Sequence, residues 1–352
     1  MQRVGFRGLV GSALWLAGCA AATTSEPPAE EPRAPAPTAS APAPSGSAPP
    51  EAPAKPPDES KPKPEKTPFA LPAVAPPYER TAQAADGKWQ PVAEVASPDG
   101  EPLALKTTLH PHPIRKDVEV VVIAFDLQRS ELVWVAGAKE PESKTAPADK
   151  RKGLVASADR ERLLAAFNGG FMAKHGHFGA MLDGSEFVPP KPGACTIGIA
   201  KDGHVEVLPW EELAPKVSEL SAYRQTPPCL VHRNEPHPAV GSEHVKWGLS
   251  AEGKFEIRRT ALGVDASGRA LLFGLGEWVQ PKDMALAMKL AGAPTVAQLD
   301  INWSYTRFNF YGKDDQGRLE VKGTLVPKLV HTKKSYVYDV APRDFFYVRR
   351  KS

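Results

Sequence analysis

The chain has 352 residues, 38 of them proline, a formal net charge of +3 and 3 cysteines. A charge so near balance, with no basic stripe interleaved with aromatics, argues against a nucleic-acid-binding surface. No C-x-x-C spacing occurs, so the cysteines do not build a zinc module or a dithiol redox motif.

The N-terminus reads MQRVGFRGLVGSALWLAGCAA. Arg3 and Arg7 form a positive region, and Leu9 to Leu16 form a short apolar stretch, too brief to span a bilayer as a folded anchor. The stretch ends in Leu16-Ala17-Gly18-Cys19, which resembles a bacterial lipobox. A signal peptide over 1–19 and a lipid on the Cys19 thiol are expected; the alternative is an ordinary secretory signal with a chance cysteine. Alanine rather than aspartate at position 20 resembles lipoproteins sorted to the outer membrane. Residues 20–84 are rich in Pro, Ala, Ser, Glu and Lys. Such a tract has no apolar face to bury and reads as a solvated tether. At about 3 Å per residue, about fifty residues of it reach on the order of 150 Å.

Residues 85–352 are long enough for a single domain with a substantial core. Val118 to Phe125 and Leu132 to Ala136, around a polar break at Asp126 to Ser130, read as a hairpin. Ser157 is placed to cap a short helix, and Leu163 to Phe167 reads as a buried strand running into Asn168-Gly169-Gly170. Two further hairpins are expected, Thr196–Ala200 with His204–Leu208 and Thr260–Val264 with Ala270–Gly274. Pro281 opens a helix with Met284, Ala287, Met288 and Ala291 on one face, and Gly292 stops it. Val296 to Leu299 is a strand delivering Asp300. The expected fold class is α+β: a hairpin-rich mixed sheet with a few packed helices.

The order of AFNGGF, a Gly-x-x-x-Asp-Gly loop (Gly179 to Gly184), RTALGVD (Arg259 to Asp265), an amphipathic helix and a final Leu-Asp-x-x-x-Ser resembles the phosphodiester glycosidase domain family. That resemblance runs from about Val118 to the C-terminus. It implies hydrolysis of a sugar-1-phosphodiester or related surface glycan, with a carbohydrate or sugar-phosphate partner. The lipobox places that activity on an envelope lipoprotein, and no cofactor is assigned, with a metal requirement left open. The family's last motif is aspartate, three glycines and a serine. Here Asp300 and Ser304 match, and Ile301, Asn302 and Trp303 replace the glycines. The run alternates, so a strand or gentle bend is expected, with Ile301, Trp303 and Tyr305 on one face.

Cleavage of a glycosidic bond commonly uses two carboxyl groups, for which Asp300 and Asp183 are the candidates. Arg259 is the candidate phosphate ligand, because its fork matches phosphate oxygens. The N–H groups of Gly169 and Gly170 are suited to cradle the same oxygens, with Asn168 and Ser304 as hydrogen-bonding groups. Trp303 and Tyr305 are suited to stack on a sugar, or else to fill the core. Each has a plainer alternative: Asn168-Gly169-Gly170 a turn, Asp183-Gly184 a hairpin corner, Arg259 half of an ion pair, Asp300 a backbone cap, Asp265 a turn. Cys195 and Cys229, an even pair in an exported chain, fit a disulfide or two buried thiols. His175-Gly176-His177 would place two imidazoles on one face of a strand, but no third ligand has diagnostic spacing and no metal site is assigned. A glycan-binding protein without catalysis, and a structural cell-wall tether, remain as alternatives.

Overall fold

The long apolar run Glu119–Asp126 is buried on both faces, and that decides the architecture. In the computed structural model, which describes residues 68–95, 100–250 and 253–352, this strand lies inside an eight-stranded antiparallel sheet. Its neighbours are Ala104–Leu109 and Ala270–Val279. Beyond them the sheet continues through Ile257–Val264 and Thr295–Ile301. Val120, Val122 and Ala124 face one core, and Val121, Ile123 and Phe125 face another. The first is covered by the helix Pro281–Leu290, whose Met284, Ala285, Ala287 and Met288 are buried. Pro281 occupies its first turn, and Gln280 and Asp283 form a reciprocal capping box, as a Pro-led helix start allows. The second core is shared with two five-stranded antiparallel sheets. Phe125 and Phe273 of the large sheet meet Phe167 and Phe308 of one small sheet, with Phe167 and Phe273 4.5 Å apart, and Phe346 stacks on Phe167.

The structure is thus mostly antiparallel sheet with few helices, compatible with the α+β expectation. The described residues form one compact unit within Pro64–Ser352. The hairpins Cys195–Ala200 with Val205–Pro209, and Ile257–Val264 with Ala270–Val279, form as expected. The first expected hairpin does not. Ser130–Val135 leaves Glu119–Asp126 and pairs instead with Phe345–Arg350 in a small sheet. A strand buried on both faces needs partners in a closed sheet, and Ala104–Leu109 and Ala270–Val279 take both of its edges. The polar break is therefore a corner between layers, fixed by Arg269 on Asp126 and by the Ser130 hydroxyl donating to the Asp126 carbonyl at 2.7 Å. Cys195 and Cys229 are joined by a disulfide.

Signal peptide, Cys19 and the tether up to residue 67 lie outside the described residues. Residues 68–84, expected to belong to the tether, lie against the core. Phe69 is buried with the Arg269 guanidinium over its ring, and Val74 bonds Gly87.

Met288→Ala should lower the unfolding free energy by about 2–5 kcal/mol in urea titration, as other emptied Met sites do, while Lys282→Ala on the exposed side of the same helix should change it by less than about 0.5 kcal/mol.

Candidate active site

Asp300 reaches its position through a β-bulge. Arg259 pairs with Ile301 and Ala261 pairs with Gln298, so Thr260 alone faces both Leu299 and Asp300. The extra residue turns the Asp300 side chain out of the sheet's alternation. Its backbone stays anchored: the N–H donates to the Gly169 carbonyl at 3.0 Å, and the carbonyl accepts the Thr260 hydroxyl at 2.8 Å. Oδ1 accepts the Ile301 N–H at 2.9 Å, and Oδ2 pairs with the Arg343 guanidinium.

Two openings of about 250 Å³ each meet at this pair, for Asp300, Arg343 and Tyr305 line both. The first is also lined by Arg307, His331 and Asp339. The second includes His175, Lys246 and Asn302. Burial pushes the Asp300 carboxyl up to about 7, against the opposing pull of Arg343. Burial lowers the His175 imidazole, with Lys174 and Arg343 adding to the effect. Tyr305 is 45% exposed, and the Arg343 guanidinium lies 4.2 Å from its ring centre.

Arg343 is held by its neighbour in sequence. Asp344 is buried against Arg224, with Nε 2.9 Å from Oδ2. The same oxygen accepts the Gly170 N–H at 3.0 Å and the Trp134 indole N–H at 3.1 Å. Arg224 spends its remaining donors on the carbonyls of Phe171, Phe178 and Gln225. A buried ion pair this fully bonded is the kind that survives desolvation.

The predicted site residues divide. Asn168 and Gly169 line the first opening with Asp300. Asn168 is itself a strap: its amide N–H reaches Thr260 Oγ1 at 2.9 Å, and its oxygen accepts the Arg307 N–H at 3.0 Å. Gly169 and Gly170 do not cradle a ligand, because their N–H groups go to the Asp344 carbonyl and carboxylate. Glycine is required there for space. A Cβ on Gly169 would lie 2.2 Å from Asp344 Oδ2, and one on Gly170 would lie 2.8 Å from the Arg224 guanidinium carbon.

Arg259 is not a phosphate ligand in this arrangement. It is fully buried, and each of its N–H groups is spent on the carbonyls of Trp247, Gly248, Phe255 and Val279 or on Gln298. Burial lowers its guanidinium to about 9. It shapes the wall carrying Gly248, which lines the second opening. Asp183 is also not beside Asp300. It occupies the corner between Ala180–Leu182 and Ser185–Val188 with φ +45°, 67% of its side chain exposed, 3.8 Å from Lys150.

After Asp300 the chain does not run on as a strand. It ends at Ile301, Asn302 takes φ +94°, and a turn follows, closed by the Thr306 hydroxyl donating to the Asn302 carbonyl at 2.9 Å. Asparagine tolerates the left-handed region better than the bulkier residues flanking it, so the turn forms here without a glycine. Consequently Ile301 is buried and Tyr305 faces the openings. Trp303 packs on Trp278, and Ser304 is exposed in the turn; neither lines either opening. The His175 segment is a short 3-10 turn, and Gly176 takes φ +133°, which parts the two imidazoles from any common strand face. No group of three or more metal-binding side chains occurs among the described residues.

No protein-family model matches the chain, and no curated protein matches it. Among solved structures it is similar to the catalytic domain of zebrafish N-acetylglucosamine-1-phosphodiester alpha-N-acetylglucosaminidase, auto-inhibited by its pro-peptide. Identity is 14% and the TM-score 0.44, over 75% of this chain and 88% of that one. A Synechocystis protein is similar at 12% identity and TM-score 0.38, over 70% and 62%. A Burkholderia pseudomallei protein is similar at 11% and 0.30, over 66% and 74%. None of these likenesses assigns the chain to a family.

Arg343, Asp344, Arg224 and Arg307 escaped the sequence reading. One signal was present. Arg224 stands inside an otherwise strand-like run and Asp344 just before FFYV, and a charge in a buried strand demands a partner.

The Asp300 carboxyl holds its proton more tightly folded than unfolded, so stability is lost as pH rises from about 4 through about 7. Asp300→Asn should remove that share of the pH dependence. Its unfolding free energy relative to wild type should rise by roughly 1–4 kcal/mol between about pH 4.5 and about pH 8, read by urea titration.

Proposed function

We propose that the chain is an envelope-anchored hydrolase that cleaves a sugar-1-phosphodiester or a related surface glycan, with Asp300 handling the proton at the glycosidic bond. The observation that carries this reading is a buried carboxyl raised to about 7, set where two openings meet. Near neutral pH such a group is divided between acid and carboxylate, the condition for efficient proton transfer. The motif order resembling phosphodiester glycosidases supports the same reaction class.

With Arg259 committed to the interior, the phosphate-binding role passes to Arg343, Arg307 and His331 along the first opening. Protonated Asp300 gives its proton to the leaving oxygen as the anomeric C–O bond breaks. Water supplies the new oxygen, and its proton goes to a carboxylate. Asp344 is committed to Arg224, so Asp339, exposed at the rim with one oxygen bonded by Thr332, takes that second role. Arg343 balances Asp300 when it is ionised, and is released towards the phosphate when Asp300 is protonated.

The test uses the purified protein and Asp300→Asn against a panel of sugar-1-phosphodiesters. Asp300→Asn should lose about 10²–10⁴-fold in turnover, since the amide keeps the shape but cannot exchange the proton. The wild-type pH profile should bend near about 7, and the bend should vanish in the variant. A wild type that turns over none of the panel, yet binds glycans as well with as without the carboxylate, would mark a binding protein instead.

The anchor is proposed from Leu16-Ala17-Gly18-Cys19 and Ala20 alone. Cys19→Ser should abolish lipid labelling and move the protein from membranes to the soluble fraction. Unchanged membrane association in fractionation would remove the anchor.

A further inference from the structure

A second bulge lies beside the one that turns out Asp300. Ile257 pairs with Val279 and Arg259 pairs with Gly276, so Arg258 alone faces both Glu277 and Trp278. The two bulges occupy adjacent positions on either side of the same strand, Ile257–Val264. One re-aims Asp300; the other re-aims Trp278. Trp278 is held at φ +58°, a backbone region that a bulky side chain enters at a cost, and its indole is 45% exposed. Folding gains little from a strained, half-exposed tryptophan. Functional sites are where such strain is retained.

The indole is also pre-positioned. It meets Trp303 with ring centres 4.7 Å apart at 57°. The Arg258 guanidinium lies 4.6 Å from the Trp303 ring centre, and Arg258 pairs with Glu277. Arg258 is buried, and its Nε has no hydrogen-bond partner among the described residues. Trp303 belongs to the same turn as Tyr305, whose exposed ring lines both openings. The turn that carries Tyr305 therefore also carries Trp303, Trp278 packs on Trp303, and Glu277 precedes Trp278 in the chain.

We infer that Trp278 and Trp303 form a saccharide-binding ledge that holds the next sugar units of an oligosaccharide whose reacting end lies at Asp300. The apolar C–H face of a pyranose stacks on an indole, and a neighbouring carboxylate accepts from its ring hydroxyls. Two tilted indoles, one of them held by a buried cation, offer that surface at little ordering cost. The inference rests on the glycan reading of the cleft and narrows it: the substrate is an oligomer rather than an isolated sugar phosphodiester.

The experiment measures binding rather than turnover, in the full chain carrying Asp300→Asn, by tryptophan fluorescence and calorimetry. The probes are N-acetylglucosamine hexamer, glucose hexamer and the two monosaccharides. At least one hexamer should bind about tenfold or more tightly than its monosaccharide. Trp278→Gly and Trp278→Asn, which accept the left-handed backbone, should abolish that advantage and leave monosaccharide binding unchanged. Their thermal midpoints should stay within about 3 °C of the parent or rise, whereas a structural tryptophan would lower them. Trp278→Tyr should recover part of the hexamer affinity. Hexamers that bind no better than monosaccharides, or a Trp278→Gly variant that keeps the hexamer advantage, would overturn the ledge. Hexamer binding that depends on Trp278 in a protein that hydrolyses no glycan would retain the ledge and remove only the hydrolase.

Discussion

The buried Arg224–Asp344 pair is the joint on which the cleft depends. It links the strand Leu220–Thr226 of one small sheet to the start of Phe345–Arg350 in the other. It also takes the Gly170 N–H, the Trp134 indole and the Phe171 carbonyl into one network. Removing one member would strand the rest without partners, at about 3–5 kcal/mol for a buried ion pair. Its most important consequence lies one residue away. With Asp344 turned inward, Arg343 is turned outward onto Asp300 and Tyr305.

A two-sided core makes this arrangement rigid. The large sheet is covered by a helix on one face and by two smaller sheets on the other, so its central strands have no freedom to slide. Bulges are how such a sheet presents side chains out of register. Here they occur side by side, and each takes a residue out of the alternation, Asp300 to the lining of the cleft and Trp278 to the surface.

Burying Asp300 works against stability once its carboxyl ionises. Desolvation raises its carboxyl, and a single partly exposed arginine compensates in part. Arg259 is the opposite case, with every donor satisfied by carbonyl and amide oxygens and no part in either opening. The two residues occupy facing strands and come from the most conspicuous motifs. What separates them is whether burial leaves a face open to a cleft, as it does for Asp300 and not for Arg259.

Much of the fold was legible in sequence because local patterns control local structure. Pro281 to Gly292 read as a helix, and Lys201-Asp202-Gly203 and Asp265 to Gly268 read as hairpin turns, because periodicity and turn chemistry act over a few residues. Asp300 was legible as the end of a buried strand, and Asn168 with Gly169 as its neighbours. Partner choice was not legible. Val118 to Phe125 and Leu132 to Ala136 look like one hairpin but join different sheets, since strand pairing follows from which faces must be buried. Arg259 looked available because no motif records where a guanidinium points. Arg343 and Asp344 looked ordinary because their partners lie far away in the chain. The sequence alone determined the elements and the residue types near the cleft. Tertiary packing decided which of them face it, through bulges that shift register by one residue and ion pairs between distant segments.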